Sequence, residues 1–219
     1  MSYEKLMQIY ELLYERYGPQ HWWPGRTRFE IIVGAILTQN TNWTNVEKAI
    51  ANLRSARCLT PQNLHQMDVQ KLAGLIRPAG YFNIKAARLK NFLNWLFDNY
   101  AGSLKQLECL GSEEMREQLL SIKGIGAETA DSIVLYAYDK PVFVVDTYTC
   151  RVLCRHGLIE EGAGYEEVRE FFESNLPTDV ELFNEFHALL VRVGKEYCRP
   201  KPRCEGCPLE HLPHETIQA

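Results

Sequence analysis

The 219 residues, 46% hydrophobic and 24% charged, have globular proportions, which exclude a chain disordered throughout and suffice for a core without disulfide staples. No apolar run approaches the roughly eighteen residues of a membrane span, and the start lacks the basic and apolar regions of a secretory signal, so a cytoplasmic protein with its seven cysteines reduced is expected. The net charge of −4 is unevenly spread: residues 160–185 hold nine acids against Arg169 alone, and Arg192, Lys195, Arg199, Lys201 and Arg203 follow, a basic run suited to phosphate.

Apolar residues at Leu6, Ile9, Tyr10, Leu13 and Tyr17 have the spacing of an amphipathic helix, which Gly18-Pro19 ends. After the turn His21-Trp22-Trp23-Pro24-Gly25, helices are predicted over about 29–38 and 43–53, separated by the polar Gln39-Asn40-Thr41-Asn42. Pro61 opens another helical stretch. Further helices follow near 69–76 and 84–100, with Arg77-Pro78-Ala79-Gly80 as a breaker between them. Ser112 is predicted to cap a helix running to about Leu120, helped by first-turn Glu113 and Glu114. The next helix carries Ala130, Ile133, Val134 and Ala137 on one face. Val142-Phe143-Val144-Val145 has strand character, but alone among some ten helices it reads better as a buried extended connector. The fold class is all-α, with no internal repeat.

Between two of these helices lies Lys123-Gly124-Ile125-Gly126. Glycines on either side of an apolar residue permit a tight turn that exposes backbone N–H groups, where a phosphate can approach the positive end of the following helix. An ordinary helix connection explains that turn equally well until Val144-Val145-Asp146-Thr147-Tyr148 is placed after it. Together with 29–41 (FEIIVGAILTQNT), 80–88 (GYFNIKAAR), 120–130 (LSIKGIGAETA), 144–152 (VVDTYTCRV) and the cysteine-rich tail from Cys198, the chain resembles the helix-hairpin-helix DNA glycosylases of the endonuclease III superfamily, and most closely their 3-methyladenine branch.

That resemblance implies two helical lobes flanking a DNA-binding cleft: a six-helix barrel over 29–135 ending in the hairpin, and a discontinuous lobe of 1–28 and 136–219 with a metal-binding tail at 198–214. The partner is then double-stranded DNA containing a damaged base, bound by a monomer without membrane association. Asp146 falls at the catalytic position, where its carboxylate stabilises positive charge developing on the sugar of a flipped nucleotide. It also suits the N-cap of the helix starting at Thr147, and both roles are compatible. Family members that nick the strand use a lysine where this chain has Glu128. A carboxylate cannot form an imine, so a monofunctional glycosylase is expected.

Trp22, Trp23 and Trp43, with Pro24 bracing the first pair, supply aromatic faces for a base; packing between helices accounts for one of them at least as well. By the resemblance, Gln39 and Tyr81 lie on the two loops that fill the gap left by the flipped nucleotide, with Phe82 a neighbour that packs or intercalates. Lys123, Gly124, Ile125 and Gly126 would hold phosphate at the hairpin, and Arg199, Lys201 and Arg203 at the tail. Three thiols, Cys198, Cys204 and Cys207, stand within ten residues, a strong metal signal. The family pattern is a four-cysteine [4Fe-4S] site. This chain has one residue fewer in the first gap and Pro213 at the expected fourth ligand, leaving His211 or His214 as the fourth donor and a Cys3His zinc site as the alternative. Cys58, Cys109, Cys150 and Cys154 read as buried small apolar residues. Two other functions fit part of the pattern: a glycosylase of the same fold for oxidised pyrimidines or mismatched bases, and a non-catalytic DNA-structure-binding module.

Overall fold

The computed structural model describes residues 2–215. Eleven α-helices are present among them: α1 (Ser2–Tyr17), α2 (Arg28–Thr38), α3 (Trp43–Ser55), α4 (Pro61–Gln66), α5 (Val69–Leu75), α6 (Phe82–Tyr100), α7 (Ser112–Leu120), α8 (Ala127–Tyr138), α9 (Thr147–Arg155), α10 (Tyr165–Asn175) and α11 (Val180–Glu196). Short 3₁₀ turns occupy Arg77–Ala79 and Gln106–Cys109, and no strand forms among the described residues. The chain divides into two compact units. One spans residues 23–140; the other joins the segment up to Trp22 to the segment from Pro141.

In the 23–140 unit, α2 is apolar on nearly every face, and such a helix must be buried all round. It packs against α8, α3 and α6. Thr27 caps it, Oγ1 accepting from the Glu30 N–H at 3.2 Å. Glu30 itself is buried and its carboxylate is met by the Arg54 guanidinium, with Nε at 3.0 Å. Arg116 Nε and Asp131 Oδ1, both buried, pair at 2.6 Å and tie α7 to α8. Ser112 does not cap α7. Gly111 holds the N-cap position with no side-chain bond, and Ser112 is the first helical residue. The glycine takes the extended backbone that the entry needs, and α7 relies on its first-turn acids instead.

In the terminal unit, α11 packs on both α1 and α9. Residues Val142–Val145 are extended and fully buried. They form no ladder because side chains take the place of a neighbouring strand: Phe143 N–H donates to Glu173 Oε1 at 2.8 Å and Val145 N–H reaches the Tyr165 hydroxyl at 3.4 Å. Phe143 stacks on Phe172 with ring centroids 3.6 Å apart and meets Phe183 and Phe186 edge-on. This apolar anchor delivers the chain to Asp146. Of the four cysteines read as buried, only Cys58 is; Cys150 and Cys154 are half-buried and Cys109 is exposed. Cys109 ends a 3₁₀ turn that inserts Leu107 alone into the core.

Candidate active site

Asp146 is the N-cap of α9. Its backbone is extended, and Oδ1 accepts from both the N–H (2.8 Å) and the hydroxyl (3.0 Å) of Thr149, which is how Asp-Thr-x-Thr closes a helix start. Oδ2 faces Nε2 of His187, on α11, at 3.6 Å. Burial pushes the Asp146 carboxyl up, but the His187 imidazole and the two Thr149 donors outweigh it, and the group is held below the usual aspartate range. An ionised, largely dry carboxylate with one oxygen committed to the helix results.

The tryptophans separate. Trp23 and Trp43 come together in the 23–140 unit, meeting edge-on with centroids 5.0 Å apart, and Tyr136 lies beside Trp23 at 5.1 Å. An edge-on contact leaves at least one indole face uncovered by its partner. Gly34 of α2 lies against both rings: a Cβ there would stand 3.3 Å from Trp23 Nε1 and 3.4 Å from Trp43 Cη2, tighter than ordinary contact. Trp22 belongs to the terminal unit, where Lys195 Nζ lies 5.9 Å from its ring and 5.7 Å from that of Tyr148. That indole already has a cation. Pro24 is exposed.

One face of α6 ties three loops together. Lys85, 1% exposed, donates to the carbonyls of Leu37 (2.9 Å) and Ala79 (2.7 Å), just ahead of Gln39 and of Gly80-Tyr81. Arg88 Nη1 donates to Gln39 Oε1, while Gln39 Nε2 donates to the Gly124 carbonyl at 3.1 Å and to Thr129 Oγ1 at 2.9 Å. Asn91 Nδ2 donates to the Lys123 carbonyl at 2.8 Å. Gln39 is therefore engaged at both ends of its amide. Tyr81 is 66% exposed and sits at φ 44°, a left-handed conformation that costs a bulky residue about 1–3 kcal/mol and is typical of functional loops. Phe82 is half-buried under Arg77. Burial, and secondarily the Arg88 charge, pulls the Lys85 amine down to about 8. We expect Lys85→Met to lower stability by about 2–4 kcal/mol in urea unfolding, because two carbonyls lose their donor; an unchanged midpoint would show that the amine carries no net stabilisation.

At the hairpin the two glycines differ. Gly124 has φ 97°, and a Cβ would stand 2.5 Å from Arg88 Cγ, so only glycine fits. Gly126 has ordinary backbone and open space around it, which leaves the start of α8 accessible, and that N-terminus has no side-chain cap. Ile125 serves the turn itself: its side chain is 5% exposed and its N–H donates to the Ile122 carbonyl at 3.0 Å, so it has no N–H for a phosphate. Lys123 and Glu128 are exposed.

Cys198, Cys204, Cys207 and His214 line one small cavity in the terminal unit. Arg155 of α9, buried, donates to Cys198 Sγ at 3.2 Å and to the carbonyls of Arg199 and Pro200, fastening the start of the tail. Burial pushes the Cys207 thiol up, and the neighbouring Cys198 and Cys204 thiols add to it. His211, by contrast, is exposed and pairs with Glu210. Among the described residues no three His, Cys, Asp or Glu side chains are grouped as ligands of a metal ion; the donors stand around the cavity wall. The donor chemistry, three thiols and an imidazole around one cavity, fits a metal group. Arg199, Lys201 and Arg203 are all exposed beside it.

His187, Tyr136 and Arg155 lie in no motif that the sequence singles out, and Arg88 closes the GYFNIKAAR motif without a role assigned to it. Each acts through a contact between separate helices or with a distant loop.

Among relatives, a provisionally named DNA repair glycosylase of Methanocaldococcus jannaschii is 48% identical over 213 residues, covering 96% of each chain. The solved 3-methyladenine DNA glycosylase of H. pylori, MagIII, bound to 1,N6-ethenoadenine, is 31% identical with a TM-score of 0.76, over 89% of this chain and 97% of that one. A trapped endonuclease III–DNA covalent intermediate has the same fold, with a TM-score of 0.83 at 23% identity over 97% and 95% of the two chains. No helix among the described residues is long and apolar enough to cross a membrane. The family model described as HhH-GPD superfamily base excision DNA repair protein matches residues 33–178. The chain belongs to the HhH-GPD superfamily of base excision DNA repair proteins.

Proposed function

We propose that this protein is a monofunctional DNA glycosylase that hydrolyses the N-glycosidic bond of an alkylated purine such as 3-methyladenine in duplex DNA, as a monomer. The observation that carries the substrate class is the pair Trp23 and Trp43 over Gly34. An N-alkylated purine is cationic, and stacking on an indole face favours it over an ordinary base by roughly 0.5–2 kcal/mol. Trp22, with Lys195 already over its ring, is a poor seat for a second cation, so the base is assigned to Trp23 and Trp43. MagIII, the 3-methyladenine glycosylase whose structure this chain resembles, is in keeping with that assignment.

In this reading Asp146 stabilises the oxocarbenium character of the sugar as the base departs and orients the attacking water. The cationic base is a good leaving group and needs little acid assistance. Glu128, at the position of the strand-nicking lysine, supplies no amine, so an abasic site is left. Tyr81 is the wedge that enters the stack; Gln39, engaged by Arg88 and the hairpin, braces the second loop. Gly124, Gly126 and Lys123 take phosphate at the hairpin, and Arg199, Lys201 and Arg203 at the tail. Cys198, Cys204, Cys207 and His214 would hold a [4Fe-4S] cluster, as in the family pattern, with a structural zinc ion as the alternative; its part is to hold the tail.

The test is base release from duplexes carrying 3-methyladenine, thymine glycol or a G·T mismatch, each assayed with and without alkali. Release from the alkylated duplex, with breaks only after alkali, is expected. Preference for thymine glycol or the mismatch would replace the substrate assignment, and breaks without alkali would overturn the argument from Glu128. Tight binding with no release from any duplex would leave a DNA-structure-binding module as the better reading.

A further inference from the structure

We propose that His187 is a positioning residue for base excision, acting through Asp146 by holding the Oδ2 edge of its carboxylate. The inference rests on the assignment of Asp146 above. The two carboxylate oxygens are not equivalent. Oδ1 is committed to α9, with two donors from Thr149 at 2.8 and 3.0 Å. Oδ2 is thus the oxygen with charge to offer a reacting sugar, and the side chain set against it is His187, Nε2 at 3.6 Å. That distance is beyond a formed hydrogen bond, but catalytic contacts are often long in the free enzyme and tighten in the complex.

Both groups are nearly dry, with side chains 6% exposed for His187 and 12% for Asp146. A carboxylate withdrawn this far from water loses its hydration and must be oriented and kept ionised by protein groups. The Thr149 donors come from the helix that Asp146 begins, so they fix where the cap sits. They engage Oδ1 and leave Oδ2 to be met from another helix. His187 reaches it from α11, the helix packed against α9, so that the packing of two helices sets an imidazole edge against the oxygen Thr149 does not engage. A histidine serving only to fill that interface would be replaceable by leucine without consequence for chemistry.

Single-turnover base release and duplex binding would be measured for the wild type, His187→Gln, His187→Leu, Asp146→Asn and the double variant His187→Leu/Asp146→Asn. The substrate is whichever of the alkylated, thymine glycol and mismatched duplexes the wild type processes fastest. Glutamine keeps a side-chain N–H donor and leucine does not. The leucine variant is expected to slow release about 10- to 100-fold with binding unchanged, and the glutamine variant to recover most of that loss. The double variant is expected to be no slower than Asp146→Asn alone. Wild-type rates in His187→Leu, equal losses in the leucine and glutamine variants, or additive losses in the double variant would each overturn the proposal. Should the leucine variant not fold, His187→Ala takes its place in the cycle. Failure of the Asp146 assignment has a separate signature, unimpaired release by Asp146→Asn; in that case, as in the absence of release by the wild type from any duplex, the inference falls with it.

Discussion

Asp146→Asn is expected to slow single-turnover base release by about 10²- to 10³-fold while leaving duplex binding and the fold intact. Asparagine keeps an acceptor for the Thr149 N–H and is as good an N-cap as aspartate, so α9 should start where it does now. What it lacks is the negative charge opposite the developing oxocarbenium ion. Release at the wild-type rate would remove Asp146 from the chemistry and leave it a helix cap. The acid side follows from the same geometry. Because His187 and Thr149 hold the Asp146 carboxyl below its ordinary value, its contribution to folding stability is present in full above its unfolded value of about 3.9 and is lost only as pH falls through the lower folded one. Base release should accordingly persist into acid beyond the point where an ordinary aspartate protonates.

The second large effect is expected at the tail. With the proposed metal group bound through these thiols, Cys207→Ala is expected to yield protein without it, and DNA binding with a shallower salt dependence. Arg155 holds residues 198–200 through three hydrogen bonds, and the Arg203 N–H donates to the Tyr197 carbonyl at 3.0 Å; the segment carrying Lys201 and Arg203 runs between the thiols Cys198 and Cys204 that line the cavity. Each phosphate contact contributes about 0.9 to the slope of log affinity against log salt, so losing up to three basic contacts lowers that slope by as much as about 2.7. The checks are iron, sulfide and zinc content of the purified protein and a salt titration of binding to undamaged duplex. Unaltered metal content, or an unaltered slope in protein that has lost its metal, would separate the thiols from the DNA contacts. Iron with sulfide would favour the cluster, and zinc alone the Cys3His alternative.

Neighbouring features of the chain differed in how far they could be read. The extended, buried state of Val142–Val145 was legible because an isolated β-branched run has no strand to pair with; that Glu173 and Tyr165 would satisfy its backbone was not. The cap on α7 was misplaced by one residue because Ser112 and Gly111 both suit a helix start, and only the backbone conformation chooses between them. Trp22 and Trp23 are both offered by the sequence as faces for a base, yet they fall in different units with different neighbours. Glycine at 124 and 126 is read from the sequence as permitting the hairpin turn, and of the two only Gly124 is required by its φ and by the approach of Arg88.

By itself the sequence determined the helices from α1 to α9 to within a few residues, the cap at Asp146, the acid at Glu128 and the clustering of thiols, since each depends on residues within a turn or two of one another. Backbone hydrogen bonding and apolar periodicity are local, and they are written locally. Tertiary structure alone decided that His187 faces Asp146, that Lys85, Arg88 and Asn91 bind three loops to one helix, and that His214 and not His211 joins the thiols at their cavity. These pairings bring together groups on different elements of the chain, and which carbonyl, charge or ring meets which is set by helix packing that no local pattern encodes.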